Sequence, residues 1–245
     1  MEDNATAAAR RECFRDARGP GAIVFDPARL PQARVALLDP ALADAGAQPV
    51  QGSGRGAAWF VQGAWGRGVL RHYRRGGLAA RVSADAYLWL GESRVRSIEE
   101  FRLLQALHRD GLPVPAPLLA GYWRSGLGYR AALLVERIEG ATSLAGRLGP
   151  MAGAVPWEAV GRMLARFHAA GVDHADLNAS NILFGADDRP WLIDFDRGKR
   201  RATGGRWARG NLDRLARSLA KLAGDTGGWR AGYERLLSAY RGAGT

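Results

Sequence analysis

Apolar residues in the first 140 positions change between strand-like and helix-like spacing. Short apolar runs broken by glycines fill residues 50–82, which is typical of β-strands joined by tight turns. Apolar residues that recur with helical spacing over 97–111 predict one amphipathic helix that ends at a glycine. The continuous apolar run at 131–135 predicts a buried strand. This part of the chain is therefore expected to be β-rich with one major helix.

The apolar pattern after Gly140 is mostly helical. Spaced apolar residues over 160–167 and 212–222 predict two amphipathic helices. Two short apolar runs, 181–184 and 191–193, predict strands between these helices. Gly140 itself is the expected hinge between the two halves.

The pattern as a whole predicts an α+β protein of two lobes. Sustained periodicity is missing before residue 49, so this part is predicted to be an extension, loosely ordered at its start. The predicted segments are an N-terminal extension (1–48), an N-terminal lobe (49–139) and a C-terminal lobe (140–245).

Charge adds a preference for anionic partners. The chain has 245 residues, and its 35 basic residues exceed the 24 acidic ones to give a net charge of +11. Nucleic acid, phosphates and an acidic membrane face would all suit this excess. A genome rich in arginine codons would explain it equally well. Since no nucleic-acid-binding motif accompanies the charge, we do not expect a nucleic-acid partner.

Several function classes are excluded by residues that the sequence lacks. Cys13 is the single cysteine, so disulfide frameworks and cysteine-built zinc or iron–sulfur sites are ruled out. The one Gly-Lys pair, Gly198-Lys199, runs into Arg200 and so cannot complete a P-loop. No bilayer-length apolar run and no signal-peptide pattern at Met1 are found, so a cytoplasmic location is expected.

The clearest chemical motif is His174-Ala175-Asp176-Leu177-Asn178-Ala179-Ser180-Asn181, followed by Ile193-Asp194-Phe195-Asp196. Phosphoryl transfer needs a carboxylate at the acceptor hydroxyl and hard oxygen ligands for Mg²⁺. Asp176 is the candidate for the first role, and Asn181 and Asp194 are the candidates for the second. The alternative is that these are ordinary turn residues. The arrangement resembles the protein-kinase-like fold, with Asp196 in the place of a glycine, as a further metal ligand or a loop contact.

The N-terminal lobe supplies the candidates for nucleotide binding. Gly52, Gly54 and Gly56 would let backbone amides approach phosphates, although a flexible turn is the simpler alternative. Both lysines, Lys199 and Lys221, lie beyond Asp194, so no lysine can hold the phosphates from a strand of this lobe. The candidates that remain are Arg71 for the phosphates, Glu100 as its partner, and Glu136 in the segment that would meet the adenine. Arg71 could instead be a solvated arginine, and Glu100 could form a capping box with Ser97.

A narrower resemblance is carried by motifs between about Gly52 and Lys221. The chain resembles the Kdo (3-deoxy-D-manno-octulosonic acid) kinase family, within the protein-kinase-like lipopolysaccharide kinases. The resemblance is carried by the catalytic segment and by the runs Leu70-Arg71-His72-Tyr73-Arg74-Arg75-Gly76-Gly77, Arg96-Ser97-x-x-Glu100-Phe101, Gly111-Leu112-Pro113-Val114-Pro115 and Asn211-Leu212-x-Arg214-Leu215. An arginine at position 71 is normal in that family.

The resemblance implies an ATP- and Mg²⁺-dependent kinase. Its expected acceptor is the 4-hydroxyl of Kdo on a Kdo–lipid A precursor, at the cytoplasmic face of the inner membrane of a Gram-negative bacterium. We expect a monomer bound peripherally to that surface, with Arg29, Trp59, Trp65 and Trp123 as candidate contacts. The alternative is that most of these aromatic side chains belong to the core, and for Trp59 it is the preferred interpretation. The alternatives are an aminoglycoside-type phosphotransferase and a non-catalytic pseudokinase that binds anionic lipid.

Overall fold

A computed structural model describes residues 8–42, 46–50, 58–73, 86–149, 154–224 and 228–243. The chain divides into two compact units. The first comprises residues 1–105 and 116–137, and the second comprises 106–115 and 138–245. In the described ranges, no helix has both the length and the hydropathy that a membrane crossing requires.

The first unit is built on an eight-stranded antiparallel sheet. Its main path runs β1-β2-β7-β8-β5-β4-β3, and β6 pairs with β8 beside this path. The elements are β1 (Arg10–Asp16), β2 (Gly19–Phe25), β3 (Gln48–Pro49), β4 (Ala58–Gly63), β5 (Gly66–His72), β6 (Tyr87–Leu88), α1 (Arg96–Arg109), β7 (Pro117–Ser125) and β8 (Gly128–Glu136).

The predicted helix and the predicted buried strand are both present in this unit. The helix α1 buries Ile98 and Phe101 completely, and its last four residues, 106–109, belong to the second unit. The strand β8 lies between two neighbours, and Ala132 and Leu134 are fully buried there. A strand with partners on both edges and side chains covered on both faces has a continuous apolar sequence, as residues 131–135 do.

The extension predicted over residues 1–48 contains two strands of this sheet. The strand β2 pairs with β7, and Ile23 lies opposite Gly121. The strand β1 lies at the edge of the sheet, and its sequence Arg-Arg-Glu-Cys-Phe-Arg-Asp is largely exposed. Only Phe14 of this strand packs against the hydrophobic core. A largely exposed edge strand carries no sustained apolar alternation, so no strand was predicted here.

The aromatic residues predicted to contact a membrane pack into the first unit instead. Trp123 is only 5% exposed, and Trp59 and Trp65 are partly buried against the same hydrophobic core. Arg29 donates to Glu136, with Nη1 2.8 Å from Oε1. The prediction of a surface role for Trp123 is wrong, because large aromatic rings contribute most to an apolar core.

In the residues of the second unit that the structure describes, three α-helices follow α1, together with five short strands. The strands form one sheet of order β12-β11-β9 and a separate pair, β10-β13. The elements are β9 (Thr142–Ser143), α2 (Trp157–Ala169), β10 (Val172–Asp173), β11 (Ile182–Phe184), β12 (Pro190–Leu192), β13 (Lys199–Arg200), α3 (Arg206–Ala223) and α4 (Gly228–Gly242). The two predicted strands are β11 and β12, which pair with Ile182 opposite Leu192.

The helices α2 and α4 approach each other closely at two glycines. A Cβ atom added to Gly161 would lie 2.2 Å from the carbonyl oxygen of Leu236. On the other helix, a Cβ atom added to Gly232 would lie 2.2 Å from the indole ring of Trp157. The two helices therefore meet in a contact that only glycine permits at either position.

We predict that Gly161→Ala destabilises the protein by about 1–3 kcal/mol, because the new methyl group overpacks a backbone contact that cannot move away. Gly210→Ala on α3 is the matched control, since nothing lies within 4 Å of the added Cβ atom. That change should stabilise the helix by about 0.5–1 kcal/mol. Urea unfolding measures both variants. A Gly161→Ala protein as stable as the wild type would contradict the close contact.

Candidate active site

The hairpin of β11 and β12 places Asn181 and Asp194 side by side. The N–H of Ile193 donates to the carbonyl oxygen of Asn181 at 3.0 Å. Asn181 comes directly before β11, and Asp194 lies two positions after the end of β12. Two residues thirteen positions apart in sequence therefore lie at the same end of one hairpin.

The backbone is strained at Ala175 and at Asp194, the two ends of the segment that carries the catalytic motif. Ala175 has a φ of 58° and Asp194 a φ of 65°, in the left-handed region that residues with a Cβ atom seldom adopt. Such conformations persist where surrounding contacts hold them, and they are common at functional sites. Asp176 follows Ala175 and is exposed. Its carboxylate makes no hydrogen bond or ion pair with the part of the chain that the structure describes.

The amide of Asn181 has one end occupied and one end available. Its Nδ2 donates to the carbonyl oxygen of Asp176 at 3.0 Å, which ties it to the loop. Within the described ranges, no donor contacts its Oδ1. Asn178 is different, because its Oδ1 accepts from the N–H groups of Ser180 and Asn181 at 2.9 and 3.2 Å. Asn178 is therefore an ordinary turn residue, as the alternative interpretation of the motif has it. Asn181 and Asp176 each keep a side-chain oxygen that could bind a ligand.

His174 is buried beneath the loop and links it to β12. Its Nε2 lies 2.8 Å from the carbonyl oxygen of Ile193, so this nitrogen carries the proton and donates it. Burial lowers the pKa of His174 and keeps the imidazole neutral. The ring also packs edge-on against Phe195, with centroids 4.7 Å apart. The residues on either side of Asp194 are thus both held by one histidine.

A buried amide on α3 fixes the start of the loop. The Oδ1 of Asn211 accepts from the N–H of His174 at 3.0 Å, and its Nδ2 donates to Oδ1 of Asp173 at 2.9 Å. Arg201 donates to the other oxygen of Asp173 at 2.6 Å, and the N–H of Ala175 donates to Oδ1. Burial alone would raise the pKa of Asp173, but these hydrogen bonds outweigh it and lower the pKa.

The role of Asn211 was not predicted, although the sequence holds a signal for it. Asn211, Leu215 and Leu219 are spaced four apart and share the buried face of α3. A polar residue on the apolar face of a helix needs hydrogen-bond partners inside the fold. The partners are on the catalytic segment, about 38 positions earlier in the chain.

The first unit also buries a carboxylate that the sequence singled out, that of Glu100. The side chain lies on α1 and the residue is 3% exposed. The guanidinium of Arg71 on β5 pairs with Oε2 of Glu100, and the hydroxyl of Tyr73 donates to the same oxygen. The guanidinium carbon of Arg71 lies 4.9 Å from the centre of the Tyr73 ring. Tyr73 thus joins the predicted ion pair of Arg71 and Glu100, and its role there was not predicted.

The capping box predicted at the start of α1 is absent. Ser97 is the second residue of a helix that begins at Arg96, and its hydroxyl donates to the carbonyl oxygen of Gly121 at 3.0 Å. The Glu100 side chain binds Arg71 and Tyr73 instead. Because sequence spacing cannot show which way a side chain points, the sequence left both the ion pair and the cap open for Glu100, and the structure shows the ion pair.

Of the other predicted nucleotide contacts, Glu136 is described by the structure and the three glycines are not. Glu136 is the last residue of β8; its side chain accepts from Arg29, and its N–H donates to the carbonyl oxygen of Ala116 at 2.9 Å. Gly52, Gly54 and Gly56 fall within 51–57, outside the described residues.

The donor set of the second unit fits a hard cation held partly by phosphate. Within the described ranges, no cluster of three or more His, Cys, Asp or Glu side chains could hold a metal. Asn181 and Asp194 together offer one amide oxygen and one carboxylate. Mg²⁺ is bound in this way in phosphate-transfer sites, where substrate oxygens and water complete the shell.

Comparison with known families decides the class of this site. The lipopolysaccharide kinase (Kdo/WaaP) family matches residues 42–240. The chain belongs to this family. It is therefore a phosphotransferase with an alcohol acceptor, and kinase activity implies ATP as the donor. The predicted fold class is confirmed: α+β and protein-kinase-like, with a β-rich first unit and a mostly helical second unit.

Curated relatives of this family member cover nearly the whole chain. A 3-deoxy-D-manno-octulosonic acid kinase of Xanthomonas oryzae pv. oryzae (strain PXO99A) is 55% identical over 93% of this chain and 92% of its own. A protein of the same name from Stenotrophomonas maltophilia (strain K279a) is 54% identical over 92% of each chain. In solved structures, a chain of the yeast RNA Pol II CTD kinase CTDK-1 complex matches at a TM-score of 0.41 and 16% identity, over 64% of this chain and 47% of that one.

We predict that Asn211→Asp destabilises the fold at neutral pH and that the loss shrinks in mild acid. The new carboxylate would face Asp173, so the pKa of the pair would rise above the ordinary value of about 4. Stability is then lost above that raised pKa and recovered as the pH falls through it. We expect a loss of about 1–3 kcal/mol at pH near 7, reduced at pH near 5.

Urea unfolding at the two pH values measures this difference. Asn211→Ala is the control, because it removes the same hydrogen bonds and adds no charge. Its deficit relative to wild type should therefore change little with pH. An Asn211→Asp deficit that is equally constant would contradict the contact with Asp173.

Proposed function

We propose that this protein transfers the γ-phosphoryl group of ATP to the 4-hydroxyl of Kdo on a Kdo–lipid A precursor, in lipopolysaccharide inner-core biosynthesis. The observation that carries this proposal is the 55% identity to named Kdo kinases over 93% of the chain. Similarity over nearly the full length of both proteins favours a shared acceptor as well as a shared fold. The loop around Asp176 supplies the chemistry that such a transfer requires.

Asp176 is the proposed catalytic residue. Its exposed carboxylate would orient the acceptor hydroxyl and take up the proton as the new O–P bond forms. The strained backbone at Ala175 and the hydrogen bond from Asn181 to the Asp176 carbonyl oxygen hold the main chain from which this carboxylate projects. Little covalent chemistry is needed beyond this positioning, because the transition state of phosphoryl transfer is loose.

Asn181 and Asp194 are the proposed ligands of Mg²⁺. When bound, the cation would neutralise charge on the phosphates. Within the N-terminal lobe (49–139), Arg71 would bind the phosphates that are not transferred, and Glu100 would hold Arg71 in place. Backbone amides of Gly52, Gly54 and Gly56 would contact phosphate oxygens, and the segment around Glu136 would meet the adenine. The C-terminal lobe (140–245) would contain the acceptor chemistry.

We also propose that the protein acts as a monomer at the cytoplasmic face of the inner membrane of a Gram-negative bacterium. A lipid-linked sugar stays at the membrane, so its kinase has to reach that surface. The net charge of +11 favours a surface of anionic lipids. The relatives from Xanthomonas and Stenotrophomonas are consistent with such a source.

Phosphorylation of a purified Kdo–lipid A precursor, with ATP and Mg²⁺, tests the proposal directly. We expect one phosphate to be added at the Kdo 4-hydroxyl, as determined by mass and by position analysis. Asp176→Asn should lower kcat by at least about 1,000-fold with little change in ATP affinity, because the loop backbone is held by other groups. Asp213→Asn, an exposed aspartate on α3, is the matched control and should retain full turnover.

Two results would overturn this assignment. Transfer to aminoglycosides, with none to the Kdo acceptor, would indicate a small-molecule phosphotransferase. Absence of turnover with every acceptor, together with binding of the anionic lipid, would indicate a pseudokinase. Unchanged turnover in Asp176→Asn would remove Asp176 from its proposed role.

Tyr73 is predicted to position Arg71 through their shared contact with Glu100. Tyr73→Phe removes a hydrogen bond to a buried carboxylate, so KM for ATP should rise by about tenfold while kcat changes little. The chain contains a matched control in Tyr122, which donates to Glu92, the partner of Arg11, at 2.7 Å.

Tyr122→Phe removes the same type of bond and should leave KM for ATP unchanged. Steady-state kinetics with ATP as the varied substrate compares the two variants. Equal effects of the two substitutions on KM would show that Tyr73 has only a structural role.

A further inference from the structure

Four exposed basic residues follow Asp194 closely in the chain. They are Arg197, Lys199, Arg200 and Arg201. Two of them have carboxylate partners, since Arg200 pairs with Asp110 and Arg201 pairs with Asp173. Arg197 and Lys199 form no hydrogen bond or ion pair with any of the described residues. Two cations beside the catalytic segment therefore have donors to offer a ligand.

Strand pairing places Lys199 beside the start of the catalytic loop. Lys199 on β13 lies opposite Asp173 on β10. Residues directly opposite each other in an antiparallel pair have their side chains on the same face. One oxygen of Asp173 accepts from Arg201 at 2.6 Å, and the other accepts from Asn211 at 2.9 Å. The side chain of Lys199 is therefore on the same face as a carboxylate whose two oxygens are both occupied.

A tight turn carries Arg197 past the same loop. The N–H of Gly198 donates to the carbonyl oxygen of Phe195 at 2.8 Å, so Arg197 is the third residue of a four-residue turn. The turn begins at Phe195, whose ring packs against His174 with centroids 4.7 Å apart. Two positions after Arg197, the pairing of β13 with β10 attaches the chain again. Arg197 therefore lies between two points at which its segment is fixed to the catalytic segment.

The backbone also brings Asp176 near this basic segment. The N–H of Asp176 donates to the carbonyl oxygen of His174 at 2.6 Å, which folds the chain back at Ala175. Asp176 follows Asp173, the residue opposite Lys199, by three positions. Given about 3.8 Å for each α-carbon step and about 5 Å between paired strands, the α-carbons of Asp176 and Lys199 are at most about 17 Å apart. An aspartate, a sugar ring and a lysine together span that separation.

An acidic acceptor needs a cation at this place. An octulosonic acid carries its carboxylate on C1, and only C2 and C3 separate this carbon from C4, which bears the reacting hydroxyl. Binding of the hydroxyl at Asp176 therefore brings the acceptor carboxylate within one sugar ring of an aspartate, and the two negative charges repel each other. A cation beside the loop offsets this repulsion, whereas a neutral sugar has no need of it.

Arg197 and Lys199 meet this requirement. A guanidinium can bind a carboxylate through two parallel N–H groups, and an ammonium adds a compact charge with three donors. We infer that Arg197 and Lys199 bind the carboxylate of the Kdo acceptor and make the site selective for a sugar acid over a neutral sugar. The inference rests on the proposed function, which supplies the acceptor.

Isothermal titration calorimetry of the full chain with the methyl glycoside of Kdo tests this binding without turnover. The second probe is the same glycoside with its carboxylate converted to a carboxamide, which keeps the size and removes the charge. The wild type should bind the carboxylate form at least about tenfold more tightly than the carboxamide. Arg197→Gln with Lys199→Gln should bind the two forms equally, at the weaker affinity.

Two further double variants separate charge from structure. Arg197→Lys with Lys199→Arg keeps both charges, so its preference for the carboxylate form should persist. Arg162→Gln with Arg241→Gln removes two exposed cations from α2 and α4, which carry none of the residues proposed for the site. This matched control should bind both glycosides as the wild type does.

Steady-state kinetics identifies the source of the bound anion. In Arg197→Gln with Lys199→Gln, KM for the Kdo–lipid A precursor should rise by about tenfold while KM for ATP stays unchanged. A rise in KM for ATP instead would overturn the inference, since the two cations would then bind a phosphate of the donor. So would a rise in KM for the precursor without loss of glycoside binding, since the cations would then bind phosphates of the lipid.

The calorimetric result alone can also overturn the inference. It fails if the double Gln variant keeps the wild-type preference for the carboxylate form, or if the wild type binds both glycosides equally or neither of them. Failure of the proposed function is distinguishable, because the wild type would then phosphorylate no Kdo acceptor, whereas the comparison of the two glycosides does not depend on turnover.

Discussion

The buried amide of Asn211 is the contact on which the catalytic segment depends. An amide can accept a hydrogen bond at one end and donate one at the other, and both ends are used. It accepts from the backbone of His174 and donates to Asp173, so the loop is held through main chain and side chain at once. A carboxylate could not donate, and an aliphatic side chain could do neither. The helix α3 therefore fixes the conformation of a loop that precedes it in the chain.

The same solution recurs in the first unit. Burying a carboxylate costs free energy unless it is paired and hydrogen-bonded. Asp173 is satisfied by an arginine and by a neutral side-chain amide, and Glu100 by an arginine and by the neutral hydroxyl of Tyr73. In each case the neutral partner contributes direction, whereas the arginine contributes charge. The neutral partners, Asn211 and Tyr73, are therefore as important to the geometry as the charged ones.

Sequence reasoning succeeded where one pattern has one structural meaning. The stripe of α1, the buried run in β8 and the hairpin of β11 with β12 were each predicted, because burial on a regular element imposes a fixed spacing. It failed at β1, whose exposed edge position leaves no apolar signature, and at α4, whose contact with α2 depends on glycines. The motif around Asp176 identified the chemistry. The contact of Glu100 with Arg71 was one of two predicted interpretations of that side chain. The contact of Glu100 with Tyr73 and the partners of Asn211 were not predicted, since tertiary contacts and not spacing decide where those side chains point.

The arginine at position 71 has a chemical consequence. A guanidinium stays protonated at every pH that a cell experiences, and it is a far poorer nucleophile than an amine. The two lysines of the chain, Lys199 and Lys221, both lie in the second unit. Reagents that tag kinases by acylating a lysine beside the ATP phosphates would find no amine at the phosphate contact proposed for Arg71. Any labelling of this protein by such reagents would have to involve Lys199 or Lys221.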